Sequence, residues 1–334
     1  MESLIFHGAP FFLGIALKRN QPRVNFTPAM NDYRKYLQPE TVSKLSSIEL
    51  KAKLIVAGFL IGLHKSPYHG FSVEFAEHRQ YAFGDEIRHI DWKVFARTDK
   101  YYVKQYEEET NLRSYILLDA SSSMQYRSEK KSIPKIEYAA YLAAALSLLM
   151  IRQRDGVGLV TFTNNLHDFI PPSVKPSHHT FILKKLAEVS QLVTENKNRQ
   201  TDVSSAFAKL AERIQNRSLV IVISDFWDEP SHIVSALKQF SHRFNEVIAF
   251  HIIDPAEQNL DFNADSELID IETRLSIATD TRHIQAVYQK AFEKRSHYYK
   301  NALADNHIDY NLLLTSNPFD EALFAYLKKR SKIK

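Results

Sequence analysis

Short apolar runs that end in a carboxylate organise the larger part of this chain. Tyr115–Leu118 leads into Asp119 and then three consecutive serines, Leu219–Ile223 into Ser224 and Asp225, and Val247–Ile253 into Asp254 and Pro255. Continuous apolar runs bounded by polar loops predict strands buried on both faces. Val157–Phe162, Leu166–Ile170 and Tyr310–Leu314 predict further strands, the second ended by Pro171 and Pro172. Between them, Ile136–Ile151 is so rich in Ala and Leu that it predicts a buried helix. His179–Leu192, Val203–Ile214, His232–Phe240, His283–Leu303 and Phe319–Lys328 predict helices, and Glu267–Ile277 a small hairpin. Strands alternating with helices predict an α/β fold with a doubly wound, mainly parallel sheet covered on both faces.

Upstream the pattern changes. Residues 1–39 carry Pro10, Pro22, Pro28 and Pro39 with little periodicity and predict an irregular arm. Pro39–Leu63 has mostly helical spacing and predicts one helix, amphipathic at first and buried later. Glu77–Arg97, EHRQYAFGDEIRHIDWKVFAR, interleaves charges of both signs with aromatic residues, and Tyr101–Tyr106 alternates like a strand. Three regions result: the arm (1–39), a smaller helix-plus-strand module with charged and aromatic β character (40–111), and the sheet domain (112–334). In the module, Arg79, Arg88 and Arg97 lie near Asp85, Asp91 and Glu77 in sequence, with Tyr81 and Trp92 among them. Arginine–carboxylate forks interleaved with aromatics predict a partly buried network; the same residue types make interface hot spots, so docking is the alternative.

Composition narrows the function. A 334-residue chain that is 25% charged and 44% hydrophobic has a globular composition. The net charge of +4 is spread without a basic block, which gives nucleic-acid binding no support. With no cysteine there is no disulfide or thiolate metal site, as expected of a cytoplasmic protein. Leu4–Leu17 and Leu54–Leu63 are shorter than the ~20 residues of a spanning helix, and the first lacks the flanks of a signal peptide. They leave peripheral membrane association as the membrane role to consider.

Asp119, Ser121 and Ser123 alternate after a strand, so one loop can turn three oxygen-bearing side chains toward a point. Hard divalent cations take oxygen ligands. Two competing readings use the same residues. Ser121 could be a nucleophile with His167, His178 or His179 as base, or paired carboxylates with a divalent ion could serve hydrolysis or phosphoryl transfer. Yet there is neither a GxSxG elbow nor a GxxxxGK[ST] loop. Alternatively, the polar residues only cap helices in a structural scaffold with no metal.

Taken together, Asp119, Ser121 and Ser123 after one strand, Thr201 with Asp202 at a helix start, and Asp225 after a later strand resemble the metal-ion-dependent adhesion site of von Willebrand factor A domains. The ExRxYxxGDxxRxIDWxxxAR pattern in Glu77–Arg97 resembles the signature of the bacterial domain-of-unknown-function family 58. The likeness runs from about residue 45 to the C-terminus, and includes VKQYEEET and DPAEQNL. It implies an A-type domain, no catalysis, a Mg²⁺ site (or Mn²⁺ or Ca²⁺), and association with MoxR-type AAA+ ATPases. Ser121, Ser123 and Thr201 would be hydroxyl ligands, Asp119 and Asp225 would contribute directly or through water, and an acidic residue of a partner would complete the shell. One departure is that Arg199 and Gln200, rather than glycine, precede Thr201.

Overall fold

The computed structural model describes residues 37–65, 78–82, 90, 92–104, 112–129, 132–163, 165–191, 203–214, 217–260, 265–269 and 276–331. The carboxylate-ended runs become neighbours in one six-stranded sheet. Its strands are β3 (Arg113–Asp119), β4 (Gly156–Phe162), β5 (Leu166–Ser173), β6 (Leu219–Ser224), β7 (Glu246–Ile253) and β10 (Ile308–Leu314), in the order β10-β7-β6-β3-β4-β5. All neighbours are parallel except the edge pair β4–β5. This is the doubly wound, mainly parallel sheet that pattern and resemblance both imply.

The two faces of the sheet explain why its central strands are mostly apolar. Ile116 and Leu118 of β3 enter a core with α2 (Ile48–Lys65), α4 (Lys135–Arg152), α5 (Pro176–Gln191) and α10 (Asp320–Arg330). Tyr115 and Leu117 enter a second core with α6 (Val203–Arg213), α7 (Pro230–Ser241) and α9 (Thr281–Ala304). Successive side chains point to opposite faces, so helices on both sides leave few polar positions in the strand. The loop after β7 carries α8 (Pro255–Asn259), and the expected hairpin is the antiparallel pair β8 (Asp265–Ile269) and β9 (Ser276–Asp280).

Three local expectations are corrected. The single helix over Pro39–Leu63 is two, α1 (Pro39–Ser43) and α2, because the Ser47 hydroxyl accepts the Leu50 N–H at 3.2 Å and caps a fresh helix start. Strand β5 does not stop before Pro171 but runs through Pro172 to Ser173. A proline lacks the N–H that a central ladder needs, and β5 is an edge strand with β4 its one partner. The module is also less β-like than expected. Between β1 (His78–Gln80) and its antiparallel partner β2 (Tyr102–Lys104) lies helix α3 (Trp92–Thr98). Trp92 and Phe95 stand three residues apart and meet at 6.0 Å, and Phe95 stacks on Tyr101 at 4.5 Å. These i,i+3 aromatics pack as a helical face. Trp92 is nevertheless 56% exposed and Tyr81 half-buried.

Helix α2 packs on α4 and α10, with Lys51 Nζ donating to the Tyr141 hydroxyl at 2.7 Å and Phe59 meeting Phe324 edge-on at 4.9 Å. Even Leu37, inside the span expected to be irregular, is fully buried in the same core.

Strand β5 passes so close to Gly158 of β4 that a Cβ there would lie 2.6 Å from the Ile170 carbonyl oxygen and 3.0 Å from Pro172 N. Backbone cannot yield as a side chain can. Gly158→Ala should therefore cost about 1–3 kcal/mol in denaturant unfolding, as overpacking does. Gly156→Ala, whose Cβ would be 3.5 Å from its nearest neighbour, is the matched control and should be milder. Equal stabilities for the two variants would contradict this.

Candidate functional site

In an open α/β sheet, the crevice at the carboxyl ends of the strands opens where the winding direction reverses. Here that point lies between β3 and β6: the chain leaves β3 toward β4, and β6 pairs with the other side of β3. Asp119 is the last residue of β3, and Asp225 directly follows β6. Topology alone therefore puts the two carboxylates at the switch point, and both are buried.

The loop after β3 supplies the hydroxyls. Asp119 Oδ1 accepts the Ser121 N–H at 2.9 Å, which curls the chain into a 3₁₀ turn over Ser122–Gln125. That turn leaves Ser121 Oγ and Ser123 Oγ 2.9 Å apart, and Ser123 hydrogen-bonds to the Asp225 carboxylate. From the opposite strand, Ser224 Oγ donates to Asp119 Oδ2 at 2.5 Å and accepts the Phe226 N–H at 2.9 Å. Phe226 adopts φ 47°, unusual for a bulky residue. Its ring is buried against His251 at 5.4 Å, which fixes the turn that presents Asp225.

Asp119 and Asp225 are electrostatically unequal. Burial, then the neighbouring Asp225 charge, push the Asp119 carboxyl up to about 7. Burial also acts on Asp225, but the Lys135 ammonium overcomes it and holds that carboxyl below its usual range. Lys135 Nζ donates to Asp225 Oδ2 at 2.9 Å and to Glu257 Oε1 at 2.7 Å, and its side chain is 1% exposed. Burial alone would lower the lysine; the two carboxylates raise it instead, so it is a resident cation. Asp119, in contrast, has hydroxyl and amide partners, and no cation pairs with it among the described residues. His251 is pushed down to about 3, chiefly by burial, and is neutral; its Nδ1 meets the Tyr310 hydroxyl at 2.7 Å.

Such a donor set suits a hard divalent ion. An octahedron with metal–oxygen bonds of about 2.0–2.1 Å has edges of about 2.9 Å, which is the separation of the two serine hydroxyls. Four expected site residues, Asp119, Ser121, Ser123 and Asp225, thus come together at one point. Thr201 and Asp202 lie outside the described residues, as do Asp85, Arg88 and Asp91 of the module. Arg79 lies on β1, and Tyr81, Trp92 and Arg97 are in or beside the β1–α3–β2 unit, away from these strand ends in sequence.

The profile of the family described as "Protein of unknown function DUF58" matches residues 77–298, which takes in the charged module and both carboxylates of the crevice. The chain belongs to this family. An uncharacterized protein of Mycobacterium bovis, Mb1516, is 26% identical over 235 residues, or 70% of this DUF58 chain and 72% of the relative. Among solved structures, the conserved hypothetical protein BatB of Bacteroides thetaiotaomicron is 16% identical, covering 66% of this chain and 98% of its own, with a TM-score of 0.43. The SpRpn10 VWA domain is 12% identical over 63% of this chain and 92% of its own, with a TM-score of 0.33.

The alternative uses of the site residues fare as follows in the DUF58 chain. Asp225 caps no helix, since α7 starts after Glu229, and Ser121 precedes the 3₁₀ turn without a side-chain cap bond. His167, His178 and His179 bond to Thr163, the Val157 carbonyl and Ser147, and no described histidine bonds to Ser121. Sequence reasoning missed Lys135 and Glu257. Both left traces: Lys135 opens an otherwise apolar helix, where a cation opposes the macrodipole and so needs a carboxylate. Glu257 closes a D-x-x-E capping box with Asp254, whose side chain accepts the Ala256 N–H at 2.9 Å. No described helix is long and apolar enough to cross a membrane.

Proposed function

We propose that this protein is a non-enzymatic, metal-dependent protein-binding module, an adaptor acting with a MoxR-type AAA+ ATPase in the assembly or maturation of other proteins. One observation carries the metal half: Asp119, a buried carboxylate with no cation partner among the described residues, stands beside two hydroxyls spaced like the edge of an octahedral shell. Asp119, Ser121, Ser123 and Asp225 would hold Mg²⁺, or Mn²⁺ or Ca²⁺, with Thr201 the expected fifth ligand. When bound, the ion supplies a Lewis-acidic position that a partner's carboxylate can take. The chain's own residues supply the rest. Ser224 and the Ser121 amide orient Asp119, and Lys135, shared between Asp225 and Glu257, offsets one of those two charges, so the site retains about the charge that one divalent ion offsets. The partnership with the ATPase rests on the family resemblance.

Binding of the full chain to a purified MoxR-type ATPase tests the reading. Because the ATPase needs Mg²⁺ for its own nucleotide, the decisive comparison is a variant rather than a chelator. Asp119→Ala should abolish the interaction while the protein stays folded by circular dichroism. Undiminished binding by that variant would remove the metal from recognition.

A further inference from the structure

Beside Asp225, on the side away from β3, lies a cavity of about 150 Å³. Its walls are Trp227, Ala291 and Phe292, its mouth is overlooked by Arg295, and Asp225 and Lys135 form part of its floor. The floor's polar groups already have partners: Lys135 bonds Asp225 and Glu257, and His251 bonds Tyr310. Nothing there calls for a polar ligand, and the space has the size that elsewhere accepts a benzene-sized apolar group. Trp227 stands 55% exposed at its edge. An indole left in water beside a desolvated recess is the residue type that anchors interfaces.

The rim selects the charge of what comes near. Arg295 Nη2 donates to the main-chain carbonyls of Phe226 and Asp228, both at 2.7 Å, and its guanidinium lies 5.5 Å from the Trp227 ring centre. No carboxylate among the described residues pairs with it. The mouth therefore carries the Arg295 guanidinium, is apolar just inside, and lies next to the crevice that holds Asp119.

We infer that this cavity is a side-chain pocket for a peptide segment of the partner, receiving a bulky apolar residue that neighbours the acidic residue directed at the crevice. The acidic half of that segment rests on the reading under Proposed function; the apolar half stands on the cavity.

Random peptides displayed on phage, panned on the immobilised full chain in Mg²⁺, test it. Enriched sequences should place Leu, Met, Phe or Trp within two positions of an Asp or Glu. Truncating that apolar residue to Ala in a synthetic peptide should weaken binding by about tenfold or more. Ala291→Trp, which fills the mouth from an exposed position, should cause a similar loss with no change in thermal unfolding. The chain has two tryptophans, so Trp92→Phe leaves Trp227 as the sole indole, and its emission should shift when the peptide binds. The pocket is overturned by an absence of enrichment, by enrichment without apolar preference, or by peptides indifferent to Ala291→Trp. Peptides lost with Asp119→Ala yet indifferent to Ala291→Trp would sink the pocket and keep the metal reading. The reverse pattern would sink the metal reading and keep the pocket.

Discussion

Replacing Lys135 with Met is expected to destabilise the protein by about 3–5 kcal/mol, the cost of leaving buried charges without their counter-ion. The Lys135 ammonium is shared between Asp225, 2% exposed, and Glu257, 20% exposed, at 2.9 and 2.7 Å. Methionine keeps the length of the side chain and most of its packing, so the loss reports the charge. Removing both orphaned charges as well, in Lys135→Met with Asp225→Asn and Glu257→Gln, should recover much of the loss, because a buried ion pair replaced as a unit is often close to neutral. Urea unfolding followed by circular dichroism measures both. A loss under about 1 kcal/mol for the single variant would place it among ordinary surface pairs, and Lys135 could not then be the resident cation of the site.

The second large effect is a pH slope. In protein freed of divalent ions, the contribution of Asp119 to stability should fall as pH rises from about 4 to about 7. Asp119 has a folded-state value of about 7 against an ordinary 3.8. Between those limits the unfolded chain has released its proton while the folded chain retains it. The stabilisation is therefore complete below the ordinary value and lost as pH climbs through the raised one. The steepest slope is about 1.4 kcal/mol per pH unit. Glu257 and Asp155, also raised by burial, tilt the curve the same way, whereas His251 and His179, lowered by burial, tilt it oppositely, so wild type alone cannot isolate Asp119. Asp119→Asn can, because it removes that one titrating group while its amide oxygen can still accept the Ser121 N–H. Its unfolding free energy should climb relative to that of wild type as pH rises through this window; a difference that stays constant with pH would mean that Asp119 ionises normally in the fold.

Much of the architecture is legible in the apolar runs, because a strand covered on both faces admits few polar residues and must stop where its loop meets water. Asp119 and Asp225 stand out for the same reason, each ending such a run. What escaped depends on partners distant in sequence. Pro171 and Pro172 read as a strand end until β5 is known to be an edge. The break between α1 and α2 hangs on one hydroxyl, that of Ser47, inside a helical pattern. Helix α3 was hidden because alternating charges dominated a stretch whose aromatic spacing is helical. Lys135 reads as a polar residue at a helix start, and its meaning comes from Asp225 and Glu257, 90 and 122 positions away.

The metal is the central claim, and calorimetric titration of the full chain with Mg²⁺ and with Mn²⁺, beside Asp119→Ala, tests it most directly. A saturable single-site isotherm and a rise in thermal stability are expected for the wild type, and neither for the variant. No heat and no thermal shift in the wild type, or the same isotherm from both proteins, would contradict it.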